Sequence, residues 1–376
     1  MNTARLGILD WTLIAAYILL VVGLSIRTKL QKRQNAEEFL VAHKSMNWLV
    51  VAVAVFATLF STISFVSVPG EAYNYGLTLM VAMLAQILVL PLAIWLFLRF
   101  FFNAPTFTAY EYLERRFDRK CRITGAAIFI TIRLFYTGTV FYAASVIFES
   151  LVGWPAPLTI AAIGAVTVLY TVLGGAKAVI FADVLQSVII FVGIGAILYK
   201  ILQAAGFDFN GIYSFAQRNN HTFELFAEPS FYRLNVHDRW NFWLILIGVI
   251  TGPLTTLSCD QLVIQRLLAG KNYQQAKKSM YTNYLISIPM VSMLFGIGLC
   301  LYFYYQAGTG RLPEGTRGDQ VLGYFISTEL PAPLPGLIVT ALLAALMSTV
   351  AGAVNSLVTV FWKDIALANA PHWGGT

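Results

Sequence analysis

Apolar runs of about twenty residues alternate along this chain with short polar connections. Such runs are long enough to cross a hydrocarbon core of roughly 30 Å as helices. Nine are predicted, over 8–26, 47–69, 78–102, 123–150, 155–173, 178–202, 240–263, 283–306 and 335–361. A soluble protein of buried helices is the alternative. The balance of 58% hydrophobic and 11% charged residues argues against it. The expected class is an all-α membrane protein with one transmembrane domain over 1–376.

Charge gives the spans a direction. Arg27, Lys29, Lys32, Arg33 and Lys44 follow the first span; Arg115, Arg116, Arg119, Lys120 and Arg122 precede the fourth; Arg266, Lys271, Lys277 and Lys278 follow the seventh. If the spans alternate, these loops share one side, which should be cytoplasmic. The connections at about 203–239 and 307–334 mix acids with bases. The N-terminus is therefore expected outside and the C-terminus inside, in a plasma or inner membrane. The first span is not read as a cleavable signal, because its basic cluster follows the apolar run. The net charge of +7 is dispersed among these loops, so no nucleic-acid partner is implied. Trp48, Trp154, Trp240 and Trp362 fall near span ends, where amphipathic rings anchor. Cys121, Cys259 and Cys300 form no metal or disulfide spacing. No catalytic constellation or phosphate-binding glycine loop is found, and no enzyme is expected.

Two places put polar chemistry at membrane depth. The last span carries Ser348, Thr349, Asn355 and Ser356 in an otherwise apolar run. Polar groups there need a protein partner, a cavity or an ion. Two adjacent hydroxyls suit a small hard cation with oxygen ligands. The second span crowds Thr58, Ser61, Thr62 and Ser64 at its middle and closes on Pro69-Gly70, and the seventh places Gly252-Pro253 at mid-membrane. Proline frees a carbonyl one turn earlier. A matched pair of interrupted helices five spans apart points to a transporter built from inverted repeats; ordinary kinks are the plainer reading.

Several blocks then match a known family in order: Phe56–Phe65 with Pro69–Gly76, Phe107–Phe117, Tyr136–Tyr142, Tyr170–Gln186, Asp260–Arg266 and the Ser348 segment. The chain resembles the sodium:solute symporter family, which adopts the LeuT-type fold of two inverted five-helix repeats. The resemblance implies a leading helix at 8–26, a first repeat over 47–202 and a partial second repeat over 240–376. The chain stops at Thr376, after the eighth core helix, so the last two core helices are expected to be missing. A fragment, a split protein and a shortened paralogue all fit.

The resemblance also implies a sodium site. Its ligands would be the carbonyls of Ala57, Phe60 and Ala345 and the hydroxyls of Ser348 and Thr349; back-bonding within the helix is the plainer role for the hydroxyls. A second sodium site in some members uses an aspartate like Asp183 with further hydroxyls. Here those positions are Ala351 and Gly352, which favours one sodium per cycle and leaves Asp183 to line an exit or pair with a base.

Substrate candidates are Ser61, Thr62, Ser64, Gln86, Arg133, Tyr136, Thr255 and Thr256. Arg133 lies about 15 Å inside its span at helical rise and could fork a substrate carboxylate or hold a structural ion pair. The carboxylate-binding arginine of the family's sialic acid carriers aligns with Tyr136 instead. The nearest resemblance is to members carrying monocarboxylates, vitamins, halide anions and sialic acid. Sodium-coupled import of a small organic anion is the expected function. A sugar, polyol or sialic acid carrier, a non-transporting fragment, a channel and a membrane sensor are the alternatives.

Overall fold

The computed structural model describes residues 6–31, 46–103 and 108–367. Lys32, Arg33, Lys44 and Phe107 lie outside them. Helices α1 (Ile8–Gln31), α2 (Trp48–Leu59), α3 (Thr62–Tyr75), α4 (Thr78–Leu88) and α5 (Leu90–Asn103) come first, then α6 (Ala109–Arg116), α7 (Arg119–Val152), α8 (Ala156–Ala204) and α9 (Phe209–Arg218). The rest are α10 (Phe242–Ser258), α11 (Gln261–Leu268), α12 (Tyr273–Gln306), α13 (Gly318–Glu329) and α14 (Leu334–Val360), the last continued by a wider turn to Ala366. No strand forms among the described residues; Met46 and Gly270 make one isolated bridge.

Five helices are long and apolar enough to cross a membrane, and three bent pairs reach that length together. Helix α8 is 49 residues long, or about 73 Å at 1.5 Å per residue, more than twice a hydrocarbon core. Its direction changes at Gly175, where φ is 62° and ψ is −168°. A side chain at that φ is strained, and glycine is free to adopt it. The predicted spans at 155–173 and 178–202 flank this point.

Polar residues define where each helix begins. Asn47, Thr108, Asp118, Asn241 and Asn272 cap α2, α6, α7, α10 and α12 by accepting a backbone N–H of the first turn. Ser61 caps α3 and Asp260 caps α11 in the same way. Both latter caps sit inside apolar segments, at the two sharpest breaks: 67° between α2 and α3, and 56° between α10 and α11.

The prolines are not the breaks. Pro69 lies inside α3, which runs on to Tyr75, and Pro253 lies inside α10. Just after Pro253 the Thr255 and Thr256 hydroxyls back-bond to the Thr251 and Gly252 carbonyls at 2.8 and 2.9 Å. The interruption falls six residues later, at Cys259–Asp260, where Asp260 offers the next helix a cap. A further bend of 40° separates α4 from α5 around Val89, ahead of Pro91.

The core is laid around α14. It packs most extensively on α8, and also on α1, α2 and α7. Residues Ala341 to Ala353 are all buried. Two charged residues that fall outside the predicted spans are internal. Arg266 is buried on α11. Asp364, beyond the last predicted span, is fully buried, accepting from Thr108 Oγ1 at 2.8 Å and Arg122 Nε at 2.7 Å.

The 219–241 connection folds back onto the end of α3. The His221 ring stacks on Tyr302 at 3.7 Å, and its Nε2–H donates to the Tyr73 and Ala72 carbonyls at 2.8 and 3.1 Å. Leu77 N–H donates to the Thr222 carbonyl. Burial pushes the His221 pKa below the ordinary histidine value, against the opposing pull of those carbonyls and Glu224. A depressed histidine pKa contributes stability at neutral pH that is lost as pH falls below about 6.5, the unfolded value. Lowering pH from 7.5 to 5.5 should therefore reduce the protection of Leu77 N–H against hydrogen exchange, measured relative to the intrinsic rate at each pH, and His221→Gln should flatten that dependence.

Candidate functional site

The break between α2 and α3 begins as a capping event. In a continuous helix Ser64 N–H would donate to the Phe60 carbonyl. Here it donates to Ser61 Oγ at 3.3 Å, and Phe60 takes extended backbone angles, φ −82° and ψ 109°. The Phe60 carbonyl is thereby released inside an apolar core, where it needs another partner. That partner is on α14: Thr349 Oγ1 lies 3.3 Å from Phe60 O.

This separation is compatible with two chemistries. A hydroxyl-to-carbonyl hydrogen bond prefers about 2.7–2.8 Å. Oxygens around a hard cation sit about 2.3–2.6 Å from it, so two neighbouring ligands at a right angle lie about 3.3–3.7 Å apart. At 3.3 Å the Thr349 hydroxyl makes a long hydrogen bond to the Phe60 carbonyl, and the same spacing would let both oxygens face a cation. Ala57 and Ala345 are fully buried, one turn before Phe60 and Thr349 on their respective helices. Ser348, also fully buried, donates to Asp183 Oδ1 at 2.6 Å and keeps its lone pairs available. The five residues expected to hold sodium are all buried and neutral, and Phe60 and Thr349 are in contact.

Asp183 stands directly behind this group. It is 0% exposed, accepts from Arg266 Nη2 at 2.9 Å and Nε at 3.3 Å, and faces Thr58 Oγ1 at 3.5 Å. The base it pairs with was hidden in the sequence, because Arg266 reads as one of a run of loop cations. A second network backs it. Gln186 donates to Tyr17 OH at 2.8 Å, Tyr17 faces Met347 Sδ, and Tyr170 OH donates to the Met347 carbonyl at 3.0 Å. These tie α1 and α8 to the residue preceding Ser348.

The substrate candidates separate into small sets. Ser61 and Ser64 hydroxyls lie 3.4 Å apart at the break. Thr62 is fully buried and turned toward the Leu342 carbonyl at 3.4 Å, which removes it from an open cavity. Gln86 lies against Gly252, its Oε1 3.3 Å from where a side chain there would begin, beside Thr256. Thr255 and Thr256 spend their protons on backbone carbonyls of their own helix. Arg133 takes its structural alternative: Nη2 bonds Asp260 Oδ1 at 2.7 Å, and its guanidinium lies 5.5 Å from the Phe129 and Tyr136 ring centres. The pair clamps α7 to the break at Cys259–Asp260, where Tyr110 OH also donates to the Cys259 carbonyl at 3.0 Å. Tyr136 is otherwise an exposed residue of α7.

The family model "Sodium:solute symporter family" matches residues 39–372. The chain belongs to the sodium:solute symporter family. Sodium and a small solute are accordingly the partners of this symporter. It is 26% identical over 370 residues to a sodium/sialic acid symporter of Aliivibrio fischeri, across 97% of this chain and 71% of that one. It is 29% identical over 386 residues to sodium-coupled monocarboxylate transporter 2 of Homo sapiens, across 99% of this chain and 60% of that one. A solved, substrate-bound, outward-open Na+-coupled sialic acid symporter superposes with a TM-score of 0.90 at 25% identity, covering 96% of this chain and 74% of that one. A nucleobase-cation-symport-1 family transporter at 13% identity and a TM-score of 0.60 shares the fold.

The clamp role of Arg133 has a measurable consequence. Asp260→Ala removes both the ion pair and the cap of α11 and should lower stability by about 2–4 kcal/mol. Asp260→Asn keeps a good cap and should lose clearly less. Thermal unfolding in detergent compares the two.

Proposed function

We propose that this symporter imports a small organic anion together with one sodium ion. The released Phe60 carbonyl facing Thr349 carries the sodium part. The carbonyls of Ala57, Phe60 and Ala345 and the hydroxyls of Ser348 and Thr349 would hold the ion. Bound sodium would fasten α14 to the break after α2, joining the scaffold to a limb that alternating access must move. Two inverted repeats, 47–202 and 240–376, account for the paired breaks at Phe60–Ser61 and Cys259–Asp260, one in each.

The anion rests on likeness to sialic acid and monocarboxylate carriers and on the chemistry of the breaks. Ser61 and Ser64 offer hydroxyls beside the freed end of α2, and the first turn of α3 points N–H groups toward the same gap. A helix N-terminus favours a carboxylate. Arg133 is engaged by Asp260, so the anion would meet hydroxyls and N–H groups rather than a free guanidinium. A neutral sugar or polyol is the second reading, favoured by the hydroxyl and amide character of Ser61, Ser64, Gln86 and Thr256.

Charge arithmetic separates the two. One sodium with one monoanion moves no net charge, whereas one sodium with a neutral solute moves one charge. That second flux would feel about 2.3 kcal/mol per 100 mV. Uptake of labelled monocarboxylates or sialic acid into proteoliposomes should respond to a sodium gradient and be unchanged by an imposed potassium-valinomycin potential. Potential-driven uptake of a neutral sugar would select the other reading. Ser348→Ala combined with Thr349→Ala should raise the sodium concentration for half-maximal uptake at least tenfold, about 1.4 kcal/mol. Unaltered sodium dependence would refute the assignment of the ion.

A further inference from the structure

The leading helix α1 lies outside both of the repeats proposed above, yet it grips α14 and α8 along its length. Near its start Asp10 is buried and accepts the Gly336 N–H, in the first turn of α14, at 2.8 Å. A carboxylate suits that helix end, where unpaired N–H groups gather. Glycine at 336 allows the approach, since a side chain there would begin 2.4 Å from Asp10 Cα. Toward its other end Ser25 packs against Gly174, beside the change of direction in α8. Between these two contacts stands the buried Tyr17, which reaches Met347, the residue before Ser348.

The Tyr17 hydroxyl joins both partners of α1 at one point. It accepts from Gln186 Nε2 at 2.8 Å and donates to Met347 Sδ at 3.5 Å. Gln186 is fully buried on α8, about one turn after Asp183, which holds the Ser348 hydroxyl at 2.6 Å. Its Oε1 has no hydrogen-bond partner among the described residues, so Tyr17 is what orients this amide. Tyr170 OH donates to the Met347 carbonyl at 3.0 Å. Met347 thus has its side chain on one tyrosine and its carbonyl on another.

Apolar packing alone holds Met347 loosely. A cavity of about 220 Å³ opens against its side chain, lined also by Ile14 and Ile18 of α1, Phe148 of α7, Ile163 of α8 and Leu343 of α14. Atoms facing a void forfeit their contacts on that side, which leaves the two tyrosine hydroxyls to fix α14 here. A hard cation keeps its oxygens within about 2.3–2.6 Å. A small shift of Met347 therefore carries the neighbouring Ser348 and Thr349 hydroxyls out of range.

We propose that Tyr17 is a positioning residue for sodium: through Gln186 and Met347, α1 sets where the Ser348 and Thr349 hydroxyls stand, and with them the affinity for the ion. The inference rests on the sodium reading of Ser348 and Thr349 given above. Tyr17 acts through its neighbours and is not itself a ligand.

Equilibrium binding of radioactive sodium to the purified full chain, with thermal unfolding in the same detergent, tests this. Tyr17→Phe should raise the sodium Kd at least about fivefold, roughly 1 kcal/mol. It also strands the Gln186 amide, so its unfolding temperature should fall. Adding Gln186→Leu removes that amide and should return the unfolding temperature toward wild type, while sodium binding stays weak. Asp10→Ala loosens α1 at the start of α14, about 16 Å from Met347 at helical rise. It should lower the unfolding temperature yet leave the sodium Kd within about twofold of wild type. A wild-type Kd in Tyr17→Phe, or in the double variant where Tyr17→Phe is not recovered folded, overturns the proposal. So does a Kd that recovers together with the unfolding temperature, or an equal rise in Asp10→Ala, since either marks a general loosening of α1. Ser348→Ala with Thr349→Ala is measured alongside. If that variant binds sodium as wild type does, the assignment of the ion falls; if it loses sodium while Tyr17→Phe does not, only the role of Tyr17 falls.

Discussion

Everything at the centre of this molecule depends on one backbone hydrogen bond that is not made. Ser64 N–H turns to the Ser61 hydroxyl, and the Phe60 carbonyl is left without its helical donor in a region that excludes water. In lipid an unsatisfied carbonyl is costly by several kcal/mol, so the break survives only because α14 brings Thr349 opposite it. The same substitution of a side chain for a backbone partner starts a new helix at Thr62 and redirects the chain by 67°. One serine therefore ends a helix, begins another and frees a buried carbonyl.

The second break is built by parallel means but with a different electrical character. Asp260 caps α11 as Ser61 caps α3, yet it brings a charge that must be neutralised at membrane depth. Arg133 of α7 supplies the counter-charge. The first break thus presents bare neutral oxygens, fit for an ion that must come and go. The second is held against α7 by a charged pair. An arginine with this partner is structural: freeing it for a substrate carboxylate would strand Asp260.

How much of this was legible in the residues depends on the length scale of the cause. The interruption near Phe60 could be read because its hydroxyl crowding is local, and Ser348-Thr349 because adjacent polar residues in an apolar run demand an explanation. The prolines misled. Pro69 and Pro253 both lie inside continuing helices, while the breaks fall where a capping side chain is available, a weaker signal than Gly-Pro. Arg266 was invisible as a site residue because sequence order placed it among loop cations; only the packing of α11 against α8 and α14 brings it to Asp183. Thr62, Thr255 and Thr256 are solute candidates by type, and in the structure their protons go to backbone carbonyls; no composition argument could foresee the direction of a hydroxyl.

The internal ion pairs share a placement that bears on how such a fold can move. Asp183–Arg266, Asp260–Arg133 and Asp364–Arg122 each join an element beyond a break or a helix end to a long scaffold helix. A desolvated pair is strongly held while water is absent, because separating it leaves two unsolvated charges. Once water enters, each charge regains its hydration and the same pair becomes worth little, as exposed pairs are. Separation of these elements and flooding of the space between them are therefore one event rather than two. Intermediates with a half-open, dry interior are penalised most, which drives the limb beyond each break toward either of two end positions. A neutral interior would lack that penalty and would open by degrees.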